Sequence, residues 1–319
     1  MTDSDALTPG IRETLHVGAV EPIASDVVLI TLAHPQGHDL PLWQPGDHID
    51  LEFEPGLTRQ YSLVSRPSDR HRWQIAVRRS EPGTGGSAYA HERLSVGDLV
   101  RVAGPKHRFP LGADSSYLLI AGGIGITPVL TMAEHLAEQG APFRLVYVGR
   151  GSDRMPFTDR VRAVGGQIVD RAVDATTLAD VLANAAADVE VYACGPHPML
   201  DELAERVPGG RLHLEDFDPP AAPAEGADGA DEAFEVQLGI DGPVLPVPAS
   251  CPLLDVLLDH GLDIMWSCRE GNCASCETNV LDGVPLHRDV ILTDDERAAG
   301  DVMFPCVSRA CSARLVLDL

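Results

Sequence analysis

The sequence predicts a multidomain protein of mixed class: an antiparallel β-barrel, then an α/β domain with a parallel sheet, then a small α+β domain. Three observations lead there. Short strand-like runs with turn punctuation fill residues 1–111, and a strand–helix alternation takes over at 112–218. A stretch without large apolar side chains, 219–233, then separates off a cysteine-rich segment, 234–319.

In the first segment, runs at 26–32, 48–53, 61–64, 73–78 and 99–102 are spaced like the strands of a barrel or sandwich, with a helix expected at 88–94. In the second, strands at 117–121, 143–148, 167–169, 189–193 and 211–214 alternate with helices at 128–139, 157–163 and 177–184. That rhythm implies a parallel sheet covered on both faces. The 219–233 stretch is rich in Pro, Ala, Gly and acid, the composition of an extended, flexible linker.

With 319 residues, 44% of them apolar, the chain can bury ordinary cores. Its apolar runs fall far short of the roughly 18 residues a membrane span needs. The start, MTDSDALTPG, lacks the basic and apolar regions of a signal peptide, so a cytoplasmic monomer without a membrane partner is expected. A net charge of −24 argues against a sequence-independent grip on nucleic acid and suits steering toward a basic partner. Lys106 is the sole lysine beside 23 arginines, which reads as coding bias.

An odd count of seven cysteines, crowded toward the C-terminus, does not suggest a disulfide framework. Cys268, Cys273 and Cys276 have the spacing C-x4-C-x2-C, and Cys306 follows after 29 further residues. This is the plant-type 2Fe–2S pattern, in which three thiolates come from one tight loop and the fourth from a distant strand. Gly271 allows the loop to turn closely around the cluster. Structural zinc is the alternative, but it usually takes two short ligand pairs instead. Cys251 and Cys311 fall outside the pattern.

Arg59-Gln60-Tyr61-Ser62 matches the R-x-Y-S strand of the ferredoxin–NADP reductase superfamily. Ile75-Ala76-Val77-Arg78 lies one strand later, and Gly83-Thr84-Gly85-Gly86-Ser87 leads into a helix. Next, Ala121-Gly122-Gly123-Ile124-Gly125-Ile126-Thr127-Pro128 follows an apolar strand and opens another helix, where a dinucleotide's phosphates could approach the backbone. Ala193-Cys194-Gly195-Pro196 follows a later strand of the same segment.

Taken together, the order barrel, nucleotide domain, linker and plant-type cysteine segment resembles the phthalate dioxygenase reductase and vanillate demethylase reductase family over nearly all of residues 12–319. The resemblance implies a flavin domain at 1–111, a nicotinamide domain at 112–218 and a ferredoxin-like (β-grasp) 2Fe–2S domain at 234–319. It implies FMN rather than FAD, held by Arg59, Gln60, Tyr61, Ser62, Ala76, Val77, Arg78, Gly86 and Ser87. Ala88 stands where relatives often carry a basic residue, so Arg59 with Arg78 would supply the phosphate's countercharge. His213-Leu214-Glu215-Asp216-Phe217 matches the family's His-x-Glu-x-Phe, which implies that Phe217 stacks on the flavin ring.

For the nicotinamide, the resemblance implies Gly122, Gly123, Gly125, Thr127, Pro128, Arg150, Cys194, Gly195 and Pro196, with Ser62, Thr127 and Cys194 nearest the hydride junction. NADH is the expected donor, although Arg150 and Arg154 leave NADPH open. The two electrons of a hydride would pass one at a time to the cluster and on to an oxygenase, Rieske-type first and cytochrome P450 second. The reading from another class is a non-catalytic nucleotide sensor with a structural metal site.

Overall fold

A computed structural model describes residues 11–54, 57–80, 85–114, 116–171, 175–183, 189–217, 232–266, 268–269, 271 and 273–319. Gly83 and Thr84 of the expected phosphate loop, Asp218, and residues 219–231 of the expected linker stretch lie outside the described residues. The chain divides into two compact units, one formed by 1–54 with 59–218, the other by 55–58 with 219–319.

The larger unit begins with six strands: β1 (Ile11–Ala24), β2 (Val27–Ala33), β3 (His48–Glu52), β4 (Thr58–Ser62), β5 (Trp73–Arg78) and β6 (Leu99–Lys106), with helix α1 (Gly86–Glu92) between the last two. Their order in the sheet is β4-β3-β6-β1-β2-β5. Just past β4, Leu63 bridges Ile75 of β5 in antiparallel fashion, and the Val64 N–H donates to the Gln74 carbonyl at 2.8 Å, so the two edges meet. Leu15, Val17, Ile30, Leu32, Ile49, Leu51, Leu63, Trp73 and Ile75 fill the interior, each fully buried.

Strand β1 was not expected from the sequence. Its pairing with β2 slips between Val17 and Ala19 and again between Pro22 and Ala24. Each bulge shifts the inward face by a residue, which erases the period-two signature.

The same unit continues with β7 (Tyr117–Gly122), α2 (Ile126–Gln139), β8 (Phe143–Gly149), α3 (Thr158–Ala163), β9 (Gln167–Asp170), α4 (Ala175–Ala183), β10 (Glu190–Cys194), α5 (His197–Arg206) and β11 (Leu212–Glu215). The sheet order is β11-β10-β7-β8-β9, with parallel pairings throughout. Alternation along the strands feeds two cores. Leu119, Ala121, Leu145, Tyr147 and Tyr192 pack with Val129, Met132 and Leu136 of α2, while Leu118, Ile120, Val146, Val148 and Val191 pack with α4 and α5. Helix α5 was also not expected. Pro196 is its N-cap and Pro198 lies in its first turn, so residues that read as breakers begin the helix.

The smaller unit carries β12 (Phe234–Leu238), β13 (Val244–Val247), α6 (Leu253–Asp259), β14 (Thr278–Asp282), β15 (Pro285–Leu286), α7 (Asp294–Ala299), β16 (Val302–Met303), β17 (Arg309–Ala310) and β18 (Arg314–Leu317). Its main sheet runs β13-β12-β18-β14-β16, with the parallel β12–β18 pair at the centre. Arg309 is a buried brace. Its guanidinium donates to the carbonyls of Cys251, Glu232 and Pro248, each at 3.0 Å, and sits 5.2 Å from the Phe234 ring centre.

Arg309→Met keeps the apolar stem but leaves three carbonyls without this donor. It is expected to destabilise the smaller unit by roughly 2–4 kcal/mol, since hydrogen bonds to charged groups are the strong ones. Hydrogen exchange checks it: amides of β12 and β13 should exchange faster while those of β7 and β8 keep their rates.

Candidate functional site

On the barrel side, β4 displays Arg59 to Ser62 along one edge. A Cβ placed on Gly86 would lie 2.5 Å from Arg59 Cγ, so the arginine stem crosses the start of α1 where only glycine leaves room. This cradle fits a flavin's terminal phosphate, with a cation on one side and backbone N–H groups on the other. Ser87 Oγ accepts the Ser80 N–H at 3.2 Å and ties the loop after β5 to the helix. Ser62 Oγ is buried without a hydrogen-bond partner, an atom that a flavin ring could satisfy. Burial pushes the Tyr61 phenol well above its ordinary pKa, so the ring stays neutral.

Gln60 is held from behind. Its amide donates to Asp50 Oδ1 at 2.9 Å and lies 3.3 Å from His48 Nε2, while Lys106 Nζ pairs with Asp50 Oδ2 at 2.9 Å. Burial lowers the His48 pKa to about 4, so it is neutral near pH 7.

On the sheet side, the turn after β7 and the turn after β10 interlock. A Cβ on Gly125 would fall 2.2 Å from the Cys194 carbonyl oxygen, one on Gly122 2.7 Å from Pro196, and one on Gly195 3.0 Å from Gly122 Cα. These glycines are small because the protein's own atoms fill the space, the Cys194 backbone at Gly125 and the Pro196 and Met199 side chains at Gly122 and Gly195. Gly123 differs: its φ is +56°, and the nearest atom to its absent side chain is Arg78 Nη1, at 3.4 Å. Thr127 donates its hydroxyl to the Ile124 carbonyl at 3.0 Å, which tightens the turn, and Pro128 is buried in the first turn of α2.

The two sides meet at a cavity of about 170 Å³ lined by Gln60, Tyr61, Ser62, Ala76, Arg78, Ser80, Ile124, Thr127 and Phe217. Four separate stretches of sequence thus share one space. Ser80 and Ile124 were not assigned a role from the sequence, although Ile124 lies within the Gly-rich motif and Ser80 two residues past Arg78. Phe217 is 42% exposed, an aromatic edge at the cavity rather than a core residue. Val77 faces the buried barrel interior, and Cys194 is fully buried behind the turn. Arg150 lies exposed beyond β8 in a loop that Asp170 secures by accepting the Gly151 N–H at 2.9 Å.

Glu215 is the residue that sequence reasoning passed over within its motif. It pairs in register with Cys194, and burial pushes its carboxyl up to about 8. Its neighbour His213 stacks on Tyr192 at 4.3 Å and lies 3.0 Å from Glu190.

In the smaller unit, Arg269, Gly271 and Ala274 all take left-handed backbone conformations, which coils the cysteine loop tightly. Arg269 is fixed there by an ion pair with Asp255 at 2.8 Å and by the Trp266 ring, 4.1 Å away. Gly271 accepts the Val290 N–H at 3.0 Å, and a side chain on it would strike Val307 and Asp289. The Cys268 N–H points at Cys273 Sγ at 3.4 Å. Cys273 is raised by hydrogen bonding with Cys268 and by burial. Cys306, which hydrogen-bonds both Cys268 and Cys276, is pushed up to about 12, the Cys268 bond opposing and the Cys276 bond and burial raising it. Four thiols joined by these contacts, with a backbone donor aimed at sulfur, fit a 2Fe–2S cluster. Among the described residues no three such side chains surround one point as a single metal ion requires.

Comparison with known proteins agrees with both halves. Residues 14–110 match the family described as oxidoreductase FAD-binding domain, and residues 240–315 match the 2Fe-2S iron-sulfur cluster binding domain. The vanillate O-demethylase oxidoreductase of Pseudomonas putida is 41% identical over 312 residues, 93% of this chain and 96% of that one. The phthalate dioxygenase reductase of Burkholderia cepacia is 36% identical over 317 residues, 96% of this chain and 97% of that one. A solved phthalate dioxygenase reductase, described as a modular structure for electron transfer from pyridine nucleotides to [2Fe-2S], superposes with a TM-score of 0.66 at 35% identity, covering 97% of this chain and 98% of that one. An intact type IV self-sufficient cytochrome P450 monooxygenase superposes with a TM-score of 0.79 at 38% identity. There 97% of this chain matches only 41% of the other.

The half-buried Glu215, one carboxyl oxygen of which is shut from solvent, gives a pH signature. Its folded pKa, about 8, lies above the ordinary carboxyl value of 4.5. The folded state therefore binds the extra proton, and stability present below 4.5 is lost as pH rises through 8. Glu215→Gln removes this dependence. Its advantage over wild type in urea should grow by up to about 1.4 kcal/mol per pH unit across that window and then level off. Equal urea midpoints at pH 5 and pH 8.5 would show that Glu215 is not buried as a neutral acid.

Proposed function

Because the chain belongs to the phthalate dioxygenase reductase and vanillate demethylase reductase family, we propose that the cavity between β4 and the turn after β7 is its hydride-transfer junction. The protein is an oxidoreductase: it carries electrons from NADH through a flavin and a 2Fe–2S cluster to an oxygenase component. The single observation that supports the junction is the 170 Å³ cavity, where residues of the flavin strand, the Gly-rich turn and Phe217 converge. A bound flavin supplies hydride acceptance and one-electron release, which no side chain of the cavity can offer.

The chain's own residues supply placement. Arg59 with Gly86 and Ser87 would hold the phosphate of FMN, and the Ser62 hydroxyl would bond the ring edge. Gln60, fixed by Asp50 and His48, keeps β4 in register behind it. Phe217, at the cavity's edge, would stack on the flavin ring, and Thr127 with the Gly123 backbone would lie on the nicotinamide side. Arg78, beside Gly123 at the cavity, would add positive charge for the phosphate. Cys194 and Pro196 shape the turn from behind, while Arg150 lies toward the adenosine end. Cys268, Cys273, Cys276 and Cys306 ligate the cluster.

The acceptor is a Rieske-type oxygenase, in keeping with relatives that serve named dioxygenases and demethylases. The likeness to a P450 chain supports a second reading, in which a P450 haem takes the electrons. Fourteen acidic residues against five arginines in 234–319 suit a basic docking face on either partner. No helix among the described residues is long and apolar enough to cross a membrane, and we place the reductase in the cytoplasm as a monomer.

Two variants test the electron path. Arg59→Ala is expected to weaken FMN binding by about 1.5–3 kcal/mol, the worth of a charge-assisted hydrogen bond, read by flavin fluorescence titration. Cys273→Ser is expected to purify yellow and to reduce ferricyanide from NADH at the wild-type rate. It should fail to reduce a Rieske-type oxygenase. Oxygenase reduction at full rate by this variant would remove the cluster from the path.

A further inference from the structure

We infer that Arg160 is a positioning residue for hydride transfer, a clamp that fixes the flavin strand and the nicotinamide helix to one another. The inference rests on the cavity being the hydride junction. Arg160 lies in α3 and its side chain is about two-thirds buried, at 31% exposure. Its Nε donates to Glu134 Oε1 at 2.8 Å and its Nη2 to Glu134 Oε2 at 2.7 Å, a two-pronged grip on α2. The remaining nitrogen, Nη1, donates to the Val64 carbonyl at 3.0 Å, across to the barrel.

The two anchor points are what give this contact a functional meaning. Val64 stands two residues after Ser62, at the seam where Leu63 bridges Ile75 and closes the barrel. Glu134 stands seven residues after Thr127 in the same helix, about 10 Å away at 1.5 Å per residue. Helix α2 runs without a break from Ile126 to Gln139 and its near face is buried, so it acts as a stiff lever between Glu134 and Thr127. A shift of Arg160 would therefore move the nicotinamide-side threonine against the flavin-side serine. Hydride transfer responds steeply to such displacements, since a misplacement of about 1 Å can cost on the order of 100-fold in rate.

The clamp itself is held in place. The Phe157 ring lies 5.1 Å from the Arg160 guanidinium. Phe157 adopts a left-handed φ of +63°, a conformation costing about 1–2 kcal/mol in a residue with a Cβ. The chain accepts that strain at the start of α3 while the ring packs under the arginine. Arg160, Glu134 and Val64 also border an open groove of about 800 Å³ that is separate from the junction cavity, so the clamp touches neither reacting ring.

The test compares Arg160→Gln, Arg160→Lys and Glu134→Gln in the full-length holoprotein. With the clamp loosened, kcat for NADH-driven ferricyanide reduction should fall about tenfold in Arg160→Gln, while KM for NADH stays within twofold and flavin content is unchanged. The long-wavelength charge-transfer absorbance of NAD+ mixed with the reduced protein should weaken in parallel, because it reports ring-to-ring placement. Arg160→Lys, which can keep one bond but not the fork, should fall between, and Glu134→Gln should resemble it. Unchanged kcat and absorbance in the folded, flavin-replete variants would overturn the clamp. So would a rise in KM alone, or loss of flavin or fold in all of them, which would mark Arg160 as a binding or purely structural residue. If NADH fails to bleach the wild-type flavin, the junction itself is wrong, and the inference falls with it.

Discussion

The geometry of the larger unit depends on two glycine turns that share one volume at the carboxyl end of the parallel sheet. The Cys194 carbonyl occupies the space a side chain on Gly125 would need, and Pro196 does the same at Gly122. Because the turns fill each other, the start of α2 cannot drift from the end of β10. Thr127, Ile124 and the segment leading to Phe217 are therefore presented as a fixed set. The barrel has to meet that set with Ser62 and Tyr61, and the contacts that span the two sheets do this. Arg160 holds one corner, and Ser25 holds another by donating its hydroxyl to Asp153 Oδ2 at 2.9 Å.

Much of this was legible in the sequence wherever the chemistry demands particular residue types at fixed spacing. The cysteine loop, the R-x-Y-S strand and the Gly-rich turn can be read directly because few other residues could serve there. Most strands were legible too, since burial on one or both faces leaves a periodic trace. Strand β1 was not, because two bulges reset its inward face. Helix α5 was not, because its prolines begin the helix instead of ending one. At Gly122, Gly125 and Gly195 the spacing could be read but the purpose could not. Only the folded chain shows that the neighbouring turn fills the space beside them, whereas Gly123 faces the Arg78 guanidinium.

What stays hidden from sequence is contact between distant residues, and the buried polar groups show it best. Glu215 reads as one more acid in an acidic chain. In the fold it is a neutral acid near pH 7, because desolvation raises its carboxyl to about 8. Arg160 likewise reads as one of 23 arginines. Its meaning comes from Glu134 and Val64, which lie on different elements.

Lys106 carries this argument furthest, because composition alone assigned it to coding bias. Asp50 is completely buried, and an isolated carboxylate there would cost several kcal/mol in lost hydration. His48 beside it, with a pKa lowered to about 4, is neutral near pH 7 and cannot supply the countercharge. The Lys106 ammonium does, at 2.9 Å, while its own side chain remains 18% exposed. An arginine at this position would bring a wide planar fork with five donors, more than one carboxylate already shared with Gln60 could satisfy. A compact point charge on a flexible stem suits the space. The pair leaves Asp50 Oδ1 free to accept from Gln60. The sole lysine of the chain thus stands, through one carboxylate, behind the strand that presents Tyr61 and Ser62 to the cavity.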